Sequence, residues 1–439
     1  MDKKSTPSFV QETIKKKPVN KSRILKRTFW TIVMAVVFGV IACTTFLLME
    51  PVIEGILNPE RIPKVSFPEE EVPVEQLLTE ESKAQKQQQD QQAVIEEAKE
   101  AARLQAEKAS QNKEEISPIE TYSRIYTDLS SLASESHKYM VTVISSQQME
   151  DWLMGSYESR KSCSGIVVAD NTYSLFILAD LQGQQSDRYL IVFSDGSMAE
   201  EQILQMDNQT GLAVFEISKN QLSDATKAAI SPATLGSSSD SNLIGKPVIA
   251  VGSPQGVLDS IAYGIVTSNS TQLQLVDANY GIVLTDIAGY EGSSGCLVNL
   301  KGEVIGVILQ NAQNVATAGL AAVGISELKS LIAKLSNNEE RVYLGVRGIG
   351  VTQQVHDQMS VPYGAYVTEV EAGSPAMQAG IRIGDIIVQI GNNTISSFRE
   401  LRTALLTYSP QEEQTITLLR QNGNEYQQQE TQVILSGIE

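Results

Sequence analysis

Histidine and cysteine are scarce in this chain. Its 439 residues include two histidines, His137 and His356, and three cysteines. Zinc sites in proteins need closely spaced cysteine and histidine ligands, so this composition argues against a metal centre. The sequence also has no glycine-rich loop of the kind that holds phosphate groups. We therefore expect neither a metal nor any other cofactor.

Basic charge is concentrated at the N-terminus, and the rest of the chain is acidic. The net charge is −18, although residues 1–27 hold nine Lys and Arg against Asp2 and Glu12. An acidic surface repels phosphates, which argues against nucleic acid as a partner. Solubility alone is the simpler explanation for most of the acidic charge.

The segment from Thr28 to Met49 contains no charged residue. As a helix it would be about 33 Å long, enough to cross the hydrocarbon core of a bilayer. The basic tail of residues 1–27 predicts a cytoplasmic N-terminus and an extracytoplasmic C-terminal part. A cleaved signal peptide and a lipoprotein box at Val40–Cys43 are alternatives, but the long basic leader and the apolar residues after Cys43 favour an uncleaved single-pass anchor in the cell membrane.

Residues 50–118 are predicted to form a linker and stalk. Prolines punctuate its first part, which indicates an extended chain. From Gln76 to Ser110 there is no Gly or Pro, and good helix formers dominate. We expect a solvated helical stalk that holds the folded part away from the membrane. A weak stripe of Ile and Ala leaves a coiled coil as the alternative.

The rest of the chain is predicted to contain two folded domains. Between about Tyr139 and Leu309, short apolar runs alternate with turn signals such as Asp195-Gly196, the pattern of hairpins. Many short strands without long helices predict a mainly β barrel or sandwich, assigned here to residues 119–340. Residues 341–439 mix strand-like and helical stretches and predict a compact α+β domain.

The segment TDIAGYEGSSGCLVNLKGEVIGVI, residues 285–308, carries the most chemical information. A nucleophilic serine needs backbone N–H donors aimed at the developing oxyanion, and Gly292-Ser293-Ser294-Gly295 offers small flanking residues for this purpose. The segment resembles the nucleophile loop of trypsin-fold serine proteases, most closely that of the HtrA/DegP family. The resemblance places Ser294 at the nucleophile position and the N–H groups of Gly292 and Ser294 at the oxyanion hole. Cys296 stands where the family has a second glycine.

The resemblance covers most of residues 139–335 and implies a trypsin-like double β-barrel. It includes SGIVVADNTYSLFILADLQ and VIAVGSPQGVLDSIAYGIVTS. The family's catalytic histidine position falls near Asp180 or Leu181, and its aspartate position falls on Gly211. Loss of the histidine alone lowers the kcat of a serine protease about a million-fold. We interpret the domain as a pseudoprotease; a non-standard base, such as Asp180 or a lysine, is the alternative.

The resemblance also places two cysteines close to the nucleophile loop. The resemblance places Cys163 at the start of a strand beside the nucleophile loop, and Cys296 just after that loop. An exported protein is exposed to oxidising conditions, so we hypothesise a Cys163–Cys296 disulfide. Two free buried thiols are the alternative.

Residues 341–437 resemble the PDZ domains of the same family. The signs are Tyr343-Leu344-Gly345-Val346 and the segment GSPAMQAGIRIGD. The resemblance implies that the amides of the first motif hold the C-terminal carboxylate of a peptide that extends the sheet edge. Residues on one helix face would line the pocket for the last side chain: Leu401, Ala404 and Leu405. Their spacing fits a core face equally well.

These patterns lead to one functional hypothesis with two rivals. We expect a membrane-anchored, catalytically inactive HtrA-like protein that binds unfolded or C-terminally exposed polypeptides in envelope protein quality control. An active serine endopeptidase that degrades misfolded exported proteins is the first rival. A structural organiser of other envelope proteins is the second. The family resemblance also implies a homotrimer.

Overall fold

A computed structural model of the chain describes residues 64–67 and 117–437, apart from 152–154, 183, 185, 241, 316–318 and 424, together with Met34. The basic tail, most of the predicted membrane helix and the predicted stalk at 76–110 therefore lie outside the described residues. Within the described part of the chain, no helix is long and apolar enough to cross a membrane.

A helix that was not predicted from the sequence precedes the first β-sheet. Helix α1 spans Pro118–Glu135. It begins at Pro118, whose missing N–H is not needed in the first helical turn. Ser117 N donates to Glu120 Oε2 at 3.2 Å, which ties the N-terminus of the helix. Leu129 and Leu132 on this helix pack against the main hydrophobic core, whereas Tyr122 and Tyr126 are exposed.

The first half of the barrel region is a seven-stranded antiparallel sheet in the order β5-β4-β1-β2-β3-β7-β6. Its strands are β1 (Met140–Asp151), β2 (Gly155–Asp170), β3 (Ser174–Asp180), β4 (Tyr189–Val192), β5 (Met198–Glu201), β6 (Gln205–Asp207) and β7 (Leu212–Ser218), and helix α2 (Asp224–Ala229) follows. The predicted turn at Asp195-Gly196 joins β4 to β5, where Gly196 adopts a φ of +81°. Strand β3 is buried along its whole length and pairs with β7, so that Asp180 lies opposite Leu212.

The second half is a closed antiparallel barrel in the order β10-β13-β12-β11-β8-β9. Its elements are β8 (Pro247–Ser253), β9 (Ser260–Leu275), β10 (Ala278–Thr285), β11 (Ser294–Val298), β12 (Val304–Ile308), α3 (Gln310–Val315), β13 (Ala321–Gly324) and α4 (Ile325–Ser336). Ser294 is the first residue of β11 and lies opposite Ser253 of β8. The register therefore fixes Ser294 at the rim of this barrel, facing the first sheet.

The C-terminal domain is an α+β unit with its own hydrophobic core. Its elements are β14 (Val342–Tyr343), β15 (Val346–Gly350), α5 (Gln353–Met359), β16 (Ala365–Val370), α6 (Pro375–Gln378), β17 (Ile386–Ile390), β18 (Asn393–Thr394), α7 (Phe398–Leu405), β19 (Glu413–Asn422), β20 (Glu425–Ile434) and β21 (Ser436–Gly437). Its main sheet runs β15-β16-β17-β19-β20. The mainly β architecture with an α+β domain at the C-terminus, expected from the sequence, is confirmed.

Candidate functional site

The nucleophile loop is the segment around Gly292-Ser293-Ser294-Gly295. Gly295 and Ser293 determine its backbone conformation. Gly295 adopts a φ of +113°, and a Cβ atom there would lie 2.1 Å from Val251 O, so no larger residue fits. Ser293 is buried, its Oγ donates to Pro254 O at 2.7 Å, and Tyr290 N donates to Ser293 Oγ at 2.9 Å. Ser293 therefore links the loop to its own backbone at Tyr290 and to Pro254, which follows β8.

Ser294 is the residue assigned by resemblance to the nucleophile position, and its hydroxyl group has a hydrogen-bond partner within the protein. The residue is 2% exposed, and its Oγ accepts a hydrogen bond from Ser164 N at 2.9 Å. His137 lies exposed in the 3-10 turn before β1, and His356 lies in α5 with its Nδ1 at 2.8 Å from Val361 O. Neither histidine is a hydrogen-bond partner of Ser294, and general-base catalysis requires a base within hydrogen-bond reach of the nucleophile.

Asp180 and Gly211 lie next to each other at the predicted positions of the missing histidine and aspartate. Asp180 ends β3, is 5% exposed, and accepts hydrogen bonds from Gln182 N at 3.0 Å and from Gln310 N at 2.7 Å. Burial raises the pKa of Asp180 above its ordinary value, and the two N–H donors oppose that shift. A Cβ atom on Gly211 would lie 2.6 Å from Asp180 Oδ1. The Asp180 carboxylate thus fills space that a side chain at position 211 would need.

Gln310 links this carboxylate to the nucleophile loop. Its side-chain Oε1 accepts from Gly292 N at 3.3 Å, and its Nε2 donates to Ser293 O at 2.9 Å. Its own backbone N–H donates to Asp180. The Gly292 N–H, which a developing oxyanion would require, therefore donates to a side chain of the protein instead. Gln310 was not among the predicted site residues, because nothing local distinguishes a glutamine that follows a strand.

The two cysteines are separate, buried free thiols in the structure. Cys163 lies opposite Val143 in the first sheet, whereas Cys296 lies between Val251 and Val307 in the second barrel. The hypothesis of a disulfide is wrong for this structure, because each side chain packs into the core beside its own strand neighbours. Burial, with a contribution from the nearby Asp180 charge, raises the pKa of Cys163 to about 12. Burial also raises the pKa of Cys296.

The motif Tyr343–Val346, here called the carboxylate loop, connects β14 to β15. Gly345 adopts a φ of +89°, which lets three successive N–H groups point to one place. They donate to the carboxylate of Asp277: Leu344 N to Oδ2 at 2.8 Å, Gly345 N to Oδ1 at 3.0 Å and Oδ2 at 2.9 Å, and Val346 N to Oδ1 at 2.8 Å. The loop thus holds a carboxylate of the same chain, that of Asp277, which was not among the predicted site residues.

The chain that follows Asp277 runs between β15 and α7. Asp277 N donates to Val346 O at 2.7 Å, and Asn279 Nδ2 donates to Gly348 O at 2.8 Å. From the other side, the Arg402 guanidinium donates to Asn279 O at 2.7 Å. Arg402 also pairs with Glu327 Oε2 at 2.6 Å. The segment 277–279 therefore occupies the groove between the first strand and the last helix of this domain.

The three helix residues predicted to line a side-chain pocket divide into two groups. Leu401 and Leu405 are buried in the core of the C-terminal domain, together with Phe398. Ala404 is also buried, but it borders the cavity beside Asn279. Ala404 can therefore contact a ligand in that cavity directly, whereas Leu401 and Leu405 lie beneath the cavity in the core.

Arg341 and Gln209 hold the backbone of Val276, the residue before Asp277. Arg341 donates to Val276 O at 2.9 Å and to Asp207 Oδ2 at 3.2 Å, and both charged side chains are buried. Val276 N donates to Gln209 Oε1 at 3.0 Å. This buried arginine therefore connects the β9–β10 turn, the entry to the C-terminal domain and the β6–β7 turn.

Sequence comparison with known families identifies both domains. Residues 163–307 match the trypsin-like peptidase domain, and residues 342–433 match the PDZ domain. The fold and these matches define a trypsin-like peptidase domain followed by a PDZ domain.

Two relatives and one solved structure show which proteins of this class the chain resembles. The chain is 31% identical over 252 residues to serine protease HTRA1 of Xenopus tropicalis, which is 53% of this chain and 51% of that protein. It is 29% identical over 254 residues to serine protease Do-like HtrA of Lactococcus lactis subsp. cremoris, covering 52% and 60% of the two chains. The solved structure of HtrA-type protease AlgW with decapeptide has the same fold, with a TM-score of 0.50, 20% identity, and coverage of 71% of this chain and 98% of that one.

In its domain order and over these regions of sequence the chain is similar to HtrA-type serine proteases. The sequence matches to HTRA1 and the Lactococcus protein span little more than half the length of each relative.

Proposed function

We propose that this chain is a catalytically inactive member of the HtrA family that binds unfolded or C-terminally exposed polypeptides through its PDZ domain. Residues 28–49 would anchor it in the membrane with both folded domains on the extracytoplasmic side. Its relatives include periplasmic endoproteases, which supports that placement. The protein would act as an adaptor or chaperone in envelope protein quality control.

The network around Gln310 is the observation that carries this proposal. A serine protease needs a base on its nucleophile and free donors for the oxyanion. Here the hydroxyl of Ser294 accepts from a backbone amide, and the Gly292 N–H donates to the Gln310 side chain. With the histidine lost, a typical turnover of about 10 per second falls about a million-fold, to about one event per day.

The carboxylate loop supports the binding role. Clustered backbone N–H groups form an anion site without any basic side chain. Three such groups meet on one carboxylate at 2.8–3.0 Å in this protein. The domain therefore keeps the chemistry needed for a peptide C-terminus although the peptidase domain has lost its catalytic base.

A protease assay on the full-length protein tests the loss of catalysis. The protein is incubated with unfolded β-casein and with a fluorophosphonate probe, beside a Ser294→Ala variant. The positive control is the periplasmic pH-dependent serine endoprotease DegQ of Escherichia coli, which is 29% identical to this chain over 247 residues. We expect no cleavage and no labelling for either form of this protein, whereas DegQ gives both. Cleavage and labelling that disappear in Ser294→Ala would show that the protein is an active protease.

A second candidate is a serine endopeptidase that uses Asp180 as its base. Asp180 and Ser294 border the same polar cavity, which favours it. Both Asp180 oxygens already accept backbone hydrogen bonds, which argues against it. If the wild-type protein does cleave casein, loss of that activity in Asp180→Asn would identify the base.

A further inference from the structure

Asp277 is an unusual residue in the turn between β9 and β10. It adopts the left-handed backbone conformation, with a φ of +60°, and is 2% exposed. Leu275 pairs with Ala278, so only Val276 and Asp277 form the turn. A two-residue turn normally lies at the surface, where its polar side chains reach water. This one is buried because its tip enters the PDZ domain.

The contacts of Asp277 reproduce those that a PDZ domain offers to a peptide end. A C-terminal carboxylate needs several N–H donors, and a bound peptide strand also donates to the first strand of the domain. Asp277 receives four N–H···O contacts from the carboxylate loop, and its own N–H donates to Val346 O. The side chain and backbone of one residue thus supply both kinds of contact.

The segment 277–279 also occupies the rest of the groove between β15 and α7. Asn279 bridges the two walls, since its side chain donates to Gly348 O on β15 and its carbonyl accepts from Arg402 on α7. Its Oδ1 atom is buried without a hydrogen-bond partner among the described residues. A buried acceptor without a hydrogen-bond donor is destabilising, so this segment is not an ideal occupant of the groove.

We propose that Asp277 is an intramolecular ligand of the carboxylate loop, and that the C-terminal carboxylate of a polypeptide must displace it in order to bind. This inference rests on the proposed peptide-binding function. The amides of Leu344, Gly345 and Val346 cannot serve both carboxylates, so the β9–β10 turn and the peptide exclude each other. PDZ binding is then autoinhibited by the peptidase domain of the same chain.

The competition lowers the apparent affinity for peptide. The measured dissociation constant equals the intrinsic one divided by the fraction of molecules whose groove is open. Asp277→Asn removes the charge and turns one acceptor into an NH₂ group that faces amide donors, without changing any residue of the PDZ domain. We therefore expect this variant to bind peptides at least about tenfold more tightly than the wild type, a conservative value for several charged hydrogen bonds.

The binding test uses full-length protein and defined peptides. Fluorescein-labelled hexapeptides of sequence Gly-Gly-Ser-Ala-Val-X, with X as Ala, Val, Leu or Phe, are titrated as free acids and as C-terminal amides. Asp259→Asn is the matched control, because Asp259 also has a positive φ, of +55°, next to the same strand β9, but is exposed. We expect Asp277→Asn to bind the acids more tightly than both wild type and Asp259→Asn, and the amides weakly in all three proteins.

The outcomes separate this inference from the proposed function. Equal binding of the acids by wild type and Asp277→Asn would overturn the intramolecular ligand while leaving peptide binding intact. Binding by none of the proteins would overturn the peptide-binding function and this inference with it. Equal binding of acids and amides would show that the carboxylate loop is not the site.

Hydrogen exchange on the wild-type protein provides a test that needs no variant. Bound peptide should keep the amides of residues 344–346 protected, because a new carboxylate replaces the old one. The amide of Asp277, which loses Val346 O as its acceptor, should exchange faster. If peptide leaves exchange at Asp277 unchanged while the carboxylate loop becomes more protected, the loop was free before binding and the inference is wrong.

Discussion

Replacing Gly211 by alanine tests whether the space of the family's catalytic aspartate is now filled by Asp180. A Cβ atom built on Gly211 lies 2.6 Å from Asp180 Oδ1 and 3.0 Å from Gln182 Cβ. Its backbone is also left-handed, with a φ of +83°. The substitution therefore combines backbone strain with a steric conflict, and the two can be measured separately.

Gly196 provides the matched control, because it has nearly the same φ, +81°, and no atom within 4 Å of its Cβ position. Left-handed backbone costs a non-glycine residue about 1–2 kcal/mol, partly offset by the reduced entropy of the unfolded chain. We expect Gly196→Ala to lower the free energy of unfolding by about 1 kcal/mol. Overpacking adds about 1–3 kcal/mol, so Gly211→Ala should cost about 2–4 kcal/mol.

The assay is urea denaturation of the full-length variants, with the free energy of unfolding taken from midpoint and slope. Asp180→Ala should remove the closest contact and leave the one with Gln182 Cβ, so that Gly211→Ala costs less in that background than in the wild type. A double-mutant cycle gives this coupling directly. Equal costs for the two glycines in the wild-type background, or no coupling to Asp180, would refute the reasoning.

Three further predictions concern buried groups. Ser294→Ala leaves the Ser164 N–H without its acceptor, and should lower the free energy of unfolding by about 1–3 kcal/mol without changing any activity. The pKa of Cys163 is raised to about 12, so at pH 8 only about one thiol in ten thousand is ionised; its alkylation by iodoacetamide should be very slow in the native protein and rise about tenfold per pH unit. Arg341→Met leaves Asp207 buried without its cation and should cost about 3–5 kcal/mol in denaturant unfolding.

Each of these predictions has a result that contradicts it. Unchanged stability of Ser294→Ala would mean that the Ser164 amide finds another acceptor. Fast modification of native Cys163 at pH 8, compared with the same protein unfolded in urea, would show that the thiol is accessible. A cost for Arg341→Met that is the same with and without Asp207→Asn would show that the ion pair does not account for it.

The sequence was most informative where function depends on local backbone conformation. Gly295 and Gly345 mark positive φ values that small, contiguous motifs require, and both loops form where the motifs predict. The family's catalytic histidine and aspartate positions were assigned near Asp180 and to Gly211 by resemblance alone, so the loss of both residues stays a prediction. Helix α1 was not predicted, although Ser117, Pro118 and Glu120 carry a helix start signal in the sequence.

The side chains that contact the nucleophile loop and the carboxylate loop could not be predicted from the sequence. Gln310 contacts Gly292 across 18 residues, Asp277 contacts Leu344 across 67, and Ser164 contacts Ser294 across 130. Such pairs depend on how sheets and domains pack, and no local pattern of hydrophobicity or turn residues encodes that packing. The sequence alone indicated a trypsin-like peptidase domain and a PDZ domain, because their motifs are contiguous stretches of residues. Only the tertiary structure decided which groups contact the nucleophile loop and the carboxylate loop, because that depends on surfaces brought together by the fold.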